Sequence, residues 1–524
     1  MSTHKPNPFS KHQGIVQAAG VISLGTLSSR ILGFVRDMVI ARLFGIYLAA
    51  QAFVVAFKIP NLLRDMLGEG AANAAFVPVF SEYAVKKSRD EFWELANVVL
   101  NLLMVALAVV TLGGILLAGV IVPLIAPGFA VSPEKLHLTV SLTRMLFPYL
   151  LLVSLAAYAM AILNSLKHFS IPAFAPCFLN ISIVLCALYL GQGARGLAIG
   201  ALIGGFLQLA VQVPLLYRKG FRWRPLLRFR HPDALRIGRL LVPRMAGSCI
   251  YQLNNFVDTI FGSFVWVVGE GGVAVLYFAY RILVFPLGIF STALSQAVLP
   301  TFAREALEDD PALLRGTLSW ALRMTFFLLC PAAVGCIILA YPIIETIFAG
   351  GRFDLSSARM TALTLACYSI GLPMYGGNRI LQSCFFSLKD TRTPMRIAGF
   401  ALVMNIVLNA VLMYPLRIAG IALATALSGI TTFGILFVLL GKRLRWACDR
   451  QLLISAMRIL GASLGMGAVC LFLGKGWYAQ TAALHKWLSL LALVITGISI
   501  YVALCSLLKV GELDEAARLL KRER

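Results

Sequence analysis

The ionisable residues of this chain that invite chemistry lie inside its most apolar stretches. The first stretch carries Arg30, Arg36, Asp37 and Arg42, the second Lys58, Arg64, Asp65 and Glu69, and the eighth Arg281. An arginine near mid-bilayer costs roughly 2.5 to 3.5 kcal/mol on insertion scales, so it normally faces a polar cavity or a partner. Cations outnumber nearby acids here, and a cationic cavity calls for an anionic ligand; a guanidinium offers a fork of donors that matches phosphate oxygens. Arg36, Arg64 and Arg281 are therefore candidate ligand residues, with Lys58 in the same stretch. The competing reading is snorkelling at helix ends, or pairing with acids that only stabilises a bundle. Arg42 fits it, and Arg30 with Asp37, seven residues apart on one helical face, is a credible structural pair. Arg144, Arg244, Arg323 and Arg379 are read as interfacial or structural. Gly33, Pro60, Gly68, Gly70, Pro286 and Gly288 interrupt the same stretches as hinges for alternating access or as ordinary kinks.

The elements that must position these residues follow from composition. Of 524 residues, 59% are hydrophobic and 13% charged, and the mean hydropathy is +0.85, against roughly 25% charged residues in soluble domains. Apolar runs long enough to cross a hydrocarbon core of roughly 30 Å recur along the chain, and lipid forces such runs to be helical. Hydropathy gives about fourteen spans. The reading is an all-α integral membrane protein: residues 1–217 an N-lobe of six spans, 218–239 a basic linker, 240–443 a C-lobe of six spans, and 444–524 two further spans and a tail. The halves repeat weakly at a spacing of about 222 residues: Ala75-Phe76-Val77-Pro78-Val79-Phe80 resembles Ala297-Val298-Leu299-Pro300-Thr301-Phe302, and Ser165-Leu166-Lys167 resembles Ser387-Leu388-Lys389. Six spans per half make the repeats parallel, related by an axis along the membrane normal, with a substrate path between them.

The net charge of +23 does not imply nucleic acid, because the basic residues lie in short loops that alternate between base-rich and base-poor rather than on one soluble face. With the N-terminus cytoplasmic, loops on that side hold about 28 Lys and Arg and the opposite loops about 7, which predicts that both termini are cytoplasmic. The loop from Arg218 to Arg239 reads as a hinge lying against anionic headgroups. No removed signal peptide is expected, since Met1 to Gln13 is polar and no A-x-A site precedes the first span. The ten Cys are scattered without CxxC pairs and read as small buried hydrophobes. Gly191 to Gly196 matches G-x-G-x-x-G but falls in a short loop between membrane helices, so it reads as a turn. Without a G-x-x-x-x-G-K-[ST] loop, ATP hydrolysis is not expected.

Several motifs resemble one family. Ser29 to Asp37 (SRILGFVRD), Ala52 to Arg64 (AFVVAFKIPNLLR), Phe76-Val77-Pro78, Ile171 to Pro176 with Leu179-Asn180-Ile181, and Tyr280-Arg281 followed by Phe285-Pro286-Leu287-Gly288 are similar to the MurJ/MviN lipid II flippases of the MOP (multidrug/oligosaccharidyl-lipid/polysaccharide) exporter superfamily. The resemblance spans nearly the whole chain. It implies a fourteen-helix, two-lobed transporter with a cationic central cavity and an extra helix pair for the polyprenyl tail, moving lipid II, the undecaprenyl-pyrophosphate disaccharide-pentapeptide, to the periplasmic leaflet. Carried over by motif, the cavity arginines are Arg30, Arg36, Arg64 and Arg281, with Asp37 their acidic neighbour. Gln51 stands where the family commonly has an acid, and Tyr280 and Val284 occupy positions that are acidic in some members.

Some members bind sodium in the second lobe, and Asp258, Asn405, Asn409, the Ile421 carbonyl and Thr425 match that pattern, with Asn409 where an acid would sit. Oxygen ligands suit a hard cation, whereas Asn-x-x-x-Asn on a helix is more often hydrogen-bonded packing. No covalent chemistry or other cofactor is expected. Coupling to the membrane potential would suffice, because each negative charge moved outward gains roughly 2.3 kcal/mol per 100 mV. Expected partners are lipid II, membrane lipids and cell-wall synthesis proteins. The alternatives are another MOP-type exporter, carrying an O-antigen-like lipid-linked sugar or a drug, and a polyprenyl-phosphate glycosyltransferase. A drug pump favours an aromatic, acid-lined cavity, and the enzyme favours acids or His at the membrane face.

Overall fold

The computed structural model describes the chain outside residues 1–7, 65–72, 192, 229, 309, 447–448, 477, 479–484 and 523–524, and side chains outside 8–19, 63–64, 73–74, 242–252, 475–476, 516 and 519–522 as well. Its described residues form helices and no paired strands: α1 Pro8–Phe44, α2 Leu48–Arg64, α3 Asn73–Lys86, α4 Arg89–Ile125, α5 Pro133–Ser165, α6 Ser170–Tyr189, α7 Ala194–Ala210, α8 Val213–Arg218, α9 Pro232–Gly262, α10 Val265–Val268, α11 Gly272–Pro286, α12 Thr292–Glu305, α13 Pro311–Ile338, α14 Ala340–Phe348, α15 Leu355–Ser369, α16 Leu372–Ser387, α17 Arg392–Arg443, α18 Arg450–Gly476, α19 Lys486–Leu507 and α20 Gly511–Arg522. Among the described residues, nine helical segments are long and apolar enough to cross a membrane. The chain is a multi-pass membrane protein.

Spans read as single runs are often two helices. The ninth breaks at Leu339 between α13 and α14, and the tenth breaks at Ile370-Gly371 between α15 and α16; the stretch of the second span between α2 and α3 lies outside the described residues. The eleventh and twelfth meet inside α17, where Arg417 turns the backbone with φ 50°. Hydropathy misses the breaks at Leu339 and Ile370-Gly371 because apolar residues continue through them.

The chain divides into two compact units, Met1–Gln252 and Leu253–Arg524. In the first, α7 packs on α6 through Gly196, Gly200 and Gly204, spaced one turn apart. A Cβ at Gly200 would stand 2.8 Å from the Ile183 Cα, and one at Gly204 2.6 Å from the Leu179 Cα, so only glycine permits this approach, the small-residue packing that membrane helices use where apolar burial supplies no drive.

The basic linker is an extended strap pinned to α4. Asn97 donates to the Arg222 carbonyl at 3.0 Å and accepts from the Arg224 amide at 2.7 Å; Asn101, one turn on, donates to the Arg224 and Leu226 carbonyls at 2.7 and 3.3 Å. The Trp223 indole donates to Asn101 at 3.1 Å. Arg236 pairs with Glu82 at 3.0 Å, and the Tyr83 hydroxyl donates to Asp233; burial first, and the Asp233 carboxylate second, push the Tyr83 phenol up, keeping it a donor. A segment whose backbone groups are bonded this way is no free hinge.

Every described non-glycine residue with positive φ is a cation: Lys167 (60°), Lys389 (58°), Arg417 (50°), Arg445 (47°) and Lys509 (51°). Four of them end helices in the Schellman arrangement. His168 donates to the Leu163 carbonyl and Lys167 to Asn164, and Asp390 donates to Phe385 and Lys389 to Phe386; Arg445 with Trp446 and Lys509 with Val510 repeat the pattern. The first two caps are the two copies of Ser-Leu-Lys in the sequence repeat.

Candidate functional site

The first-unit residues gather on α1 and α2. Arg36 is buried, and its Nε and Nη2 donate to the fully buried Asp37 Oδ1 at 3.0 and 2.7 Å, while Nη1 donates to the Asn180 Oδ1 of α6 at 3.1 Å. Asn180 in turn donates to the Ser29 carbonyl at 3.1 Å, so the network ties α1 to α6. Asp37 takes Arg36 as its partner, whereas Arg30 is exposed; the Arg30–Asp37 pair inferred from helical spacing is not formed. A neutralised, bonded guanidinium has few donors left for a ligand. Lys58 is half-buried in mid-α2, with Pro60 buried two residues later and no break in the helix there. Arg64 is the last residue of α2; its side chain, and the expected hinges Gly68 and Gly70, lie outside the described residues. Gly33 is buried within unbroken α1. Gln51 is fully buried, and neither amide atom has a hydrogen-bond partner. An acid there would face the larger penalty of a buried charge.

In the second unit Arg281 is half-buried on α11, which ends at Pro286 and opens into a π turn over Leu287–Ser291 that includes Gly288. π turns inside helices recur at functional sites.

The second cluster is a closed oxygen site. The Asp258 carboxylate, on α9, accepts from Asn409 Nδ2 at 3.2 Å on Oδ1 and from Thr425 Oγ1 at 2.9 Å on Oδ2. Asn409 also donates to Asn405 Oδ1 at 3.0 Å, Asn405 to Thr425 at 3.2 Å, and Thr425 lies 3.2 Å from the Ile421 carbonyl. The kink at Arg417 makes this possible by folding α17 back, so that positions 405 and 409 meet 421 and 425. Asp258, Asn405 and Asn409 are buried, and the Asn409 Oδ1 is a buried acceptor without a partner. The fully buried Tyr368 of α15 lies beside Asp258. No group of three His, Cys, Asp or Glu suited to a metal occurs among the described residues; one carboxylate among neutral oxygens is a donor set for a hard monovalent cation rather than a transition metal.

A family described as "Lipid II flippase MurJ" matches residues 40–496. This chain belongs to the lipid II flippase MurJ family. Curated MurJ relatives include "Probable lipid II flippase MurJ" of Vibrio cholerae, 33% identical over 95% of this chain and 96% of that protein, and "Lipid II flippase MurJ" of Burkholderia cenocepacia, 33% identical over 82% and 84%. The solved "Lipid II flippase MurJ, inward closed conformation" superposes with a TM-score of 0.77 at 26% identity, covering 93% of this chain and 98% of that one. An inward-facing multidrug resistance MATE family transporter of the MOP superfamily shares the fold at 15% identity, with a TM-score of 0.62 over 82% and 98%.

Within this MurJ-family chain, sequence reading passed over three partners. Asn180 stood in a quoted motif without a role, and its position inside an apolar helix was the available signal. Tyr368 gave no signal. Glu512, which bonds Arg323 of α13 at 2.9 Å with both side chains buried, was counted as tail.

Proposed function

We propose that this chain is a lipid II flippase of the bacterial cytoplasmic membrane, passing the precursor from the cytoplasmic to the periplasmic leaflet by alternating access, with both termini cytoplasmic. The family match over residues 40–496 carries this reading, and relatives named as flippases, not enzymes, support a transporter. Arg30, Lys58, Arg64 and Arg281 are the proposed contacts for the pyrophosphate; Arg36 and Asp37 hold α1 in place for them. A pyrophosphate diester carries about two negative charges, so outward movement down an inside-negative potential releases energy without ATP.

Sodium is the proposed co-ion. Asp258, Asn405, Asn409, Thr425 and the Ile421 carbonyl fit it, because they converge as oxygens around one negative charge and leave the Asn409 Oδ1 unused. Bound there, the ion would offset the Asp258 charge.

The test is rescue of cells depleted of their own lipid II flippase. The chain is expected to restore growth and lipid II export, and Arg281→Ala to lose both at normal membrane abundance. Failure of the abundant wild-type chain to export lipid II overturns the assignment.

A further inference from the structure

A cavity of about 410 Å³ opens where α14, α18 and α19 meet, apolar along Ile338, Leu339 and Leu471 and charged at one end. There Lys486 Nζ lies 2.5 Å from Glu345 Oε1, and the Tyr478 hydroxyl donates to Glu345 Oε2 at 3.1 Å and meets Thr346 Oγ1 at 2.8 Å. The pair is largely desolvated, with side chains 26% and 10% exposed, so it is a costly way to join helices that apolar packing could join instead. It sits where α18 ends and α19 begins, lined by the exposed Leu471, whose neighbour Phe472 is exposed as well.

We propose that this cavity binds the headgroup of a zwitterionic aminophospholipid, its acyl chain lying along the apolar wall. One N–H of Lys486 is used by Glu345, leaving others for a phosphate, and each Glu345 oxygen keeps a lone pair for an ammonium. A lone anion gains Lys486 but meets Glu345, and a lone cation the reverse; only a ligand bearing both signs satisfies both ends. The volume falls within the range of small-molecule sites.

The experiment uses the full chain in nanodiscs of equal parts phosphatidylethanolamine, phosphatidylcholine and phosphatidylglycerol, with the retained lipids counted by native mass spectrometry. Phosphatidylethanolamine should exceed each of the others by about tenfold, the factor one charge-assisted hydrogen bond supplies, because a trimethylammonium has no N–H to donate. Glu345→Gln should erase that preference. Gly474→Leu keeps the ion pair but fills the cavity, since an added Cβ meets only the Leu339 Cδ2 at 4.0 Å; it should lose the lipid without lowering thermal stability. Equal retention of the three lipids makes the cavity an acyl slot and overturns the proposal. So does retention unchanged in both variants, which would leave Glu345 and Lys486 a clamp between helices.

Discussion

Replacing Glu512 with Ala should release the C-terminal helix. Arg323 and Glu512 bond at 2.9 Å with side chains 10% and 1% exposed, so the substitution leaves a guanidinium buried without its carboxylate. Breaking a buried pair from one side costs about 3 to 5 kcal/mol. Some of this is recovered, because α20 is also held by Trp320, whose indole donates to Glu515 at 2.7 Å, and at its entrance by Arg458, which donates to the Lys509 carbonyl at 2.9 Å. Taking about 3 kcal/mol, the undocked population of α20 rises about 150-fold. Hydrogen exchange reads this directly, because local opening sets the exchange of the α20 amides. Those amides should exchange about two decades faster in Glu512→Ala while α13 amides remain protected. The double variant Arg323→Met, Glu512→Leu should return exchange to within tenfold of wild type, since an apolar pair replaces a buried ion pair at little cost. Unchanged exchange in Glu512→Ala would show that the pair does not hold α20, and exchange as fast in the double variant would assign the effect to lost packing.

The other expectations concern four charges. Arg36→Ala should lower membrane abundance, because it removes the guanidinium paired with the fully buried Asp37 carboxylate, whereas Arg281→Ala should leave abundance normal; equal loss of protein in quantitative blots would remove that distinction. Asp258→Ala should abolish stabilisation of the purified chain by sodium over potassium in thermal unfolding, because a ligand that binds only the native state raises its stability; identical sodium responses dismiss the site. The backbone and hydroxyl of Thr393 first, and Arg443 after them, hold the Asp390 carboxyl below its usual range. Its contribution is therefore complete above about pH 4 and lost as pH falls through the lowered value. Thermal stability of Asp390→Asn should accordingly differ from wild type at pH 6 and converge on it toward pH 3, and a constant difference would contradict this.

The membrane class was legible in the sequence from apolar runs, and much of the second-lobe cluster only through the family resemblance, which singled out positions 258, 405, 409 and 425. The Ser-Leu-Lys repeat proved legible down to backbone geometry, because a Schellman cap is local. The Arg30–Asp37 pair was misjudged because helical spacing ranks faces, whereas the long Arg36 guanidinium folds back onto the adjacent carboxylate while a neighbouring helix offers it Asn180 as well. The strap was hidden for a related reason: charge counts describe Arg222 to Arg230, but the bonds that fix them come from Asn97 and Asn101 of α4, remote in sequence. Arg323 and Glu512 lie further apart still, and only packing brings them together.

The cations that end helices in a left-handed conformation bear on biosynthesis. For an L-residue this conformation costs roughly 1 to 2 kcal/mol, which glycine would avoid. In the proposed orientation Lys167, Lys389, Arg445 and Lys509 all follow helices that exit toward the cytoplasm, where positive charge holds a loop back from translocation. One side chain thus halts the helix and fixes its side of the membrane, so the translocon and the folded backbone read the same four residues. Glycine at these positions would be easier for the finished fold and less informative to the machinery that inserts it.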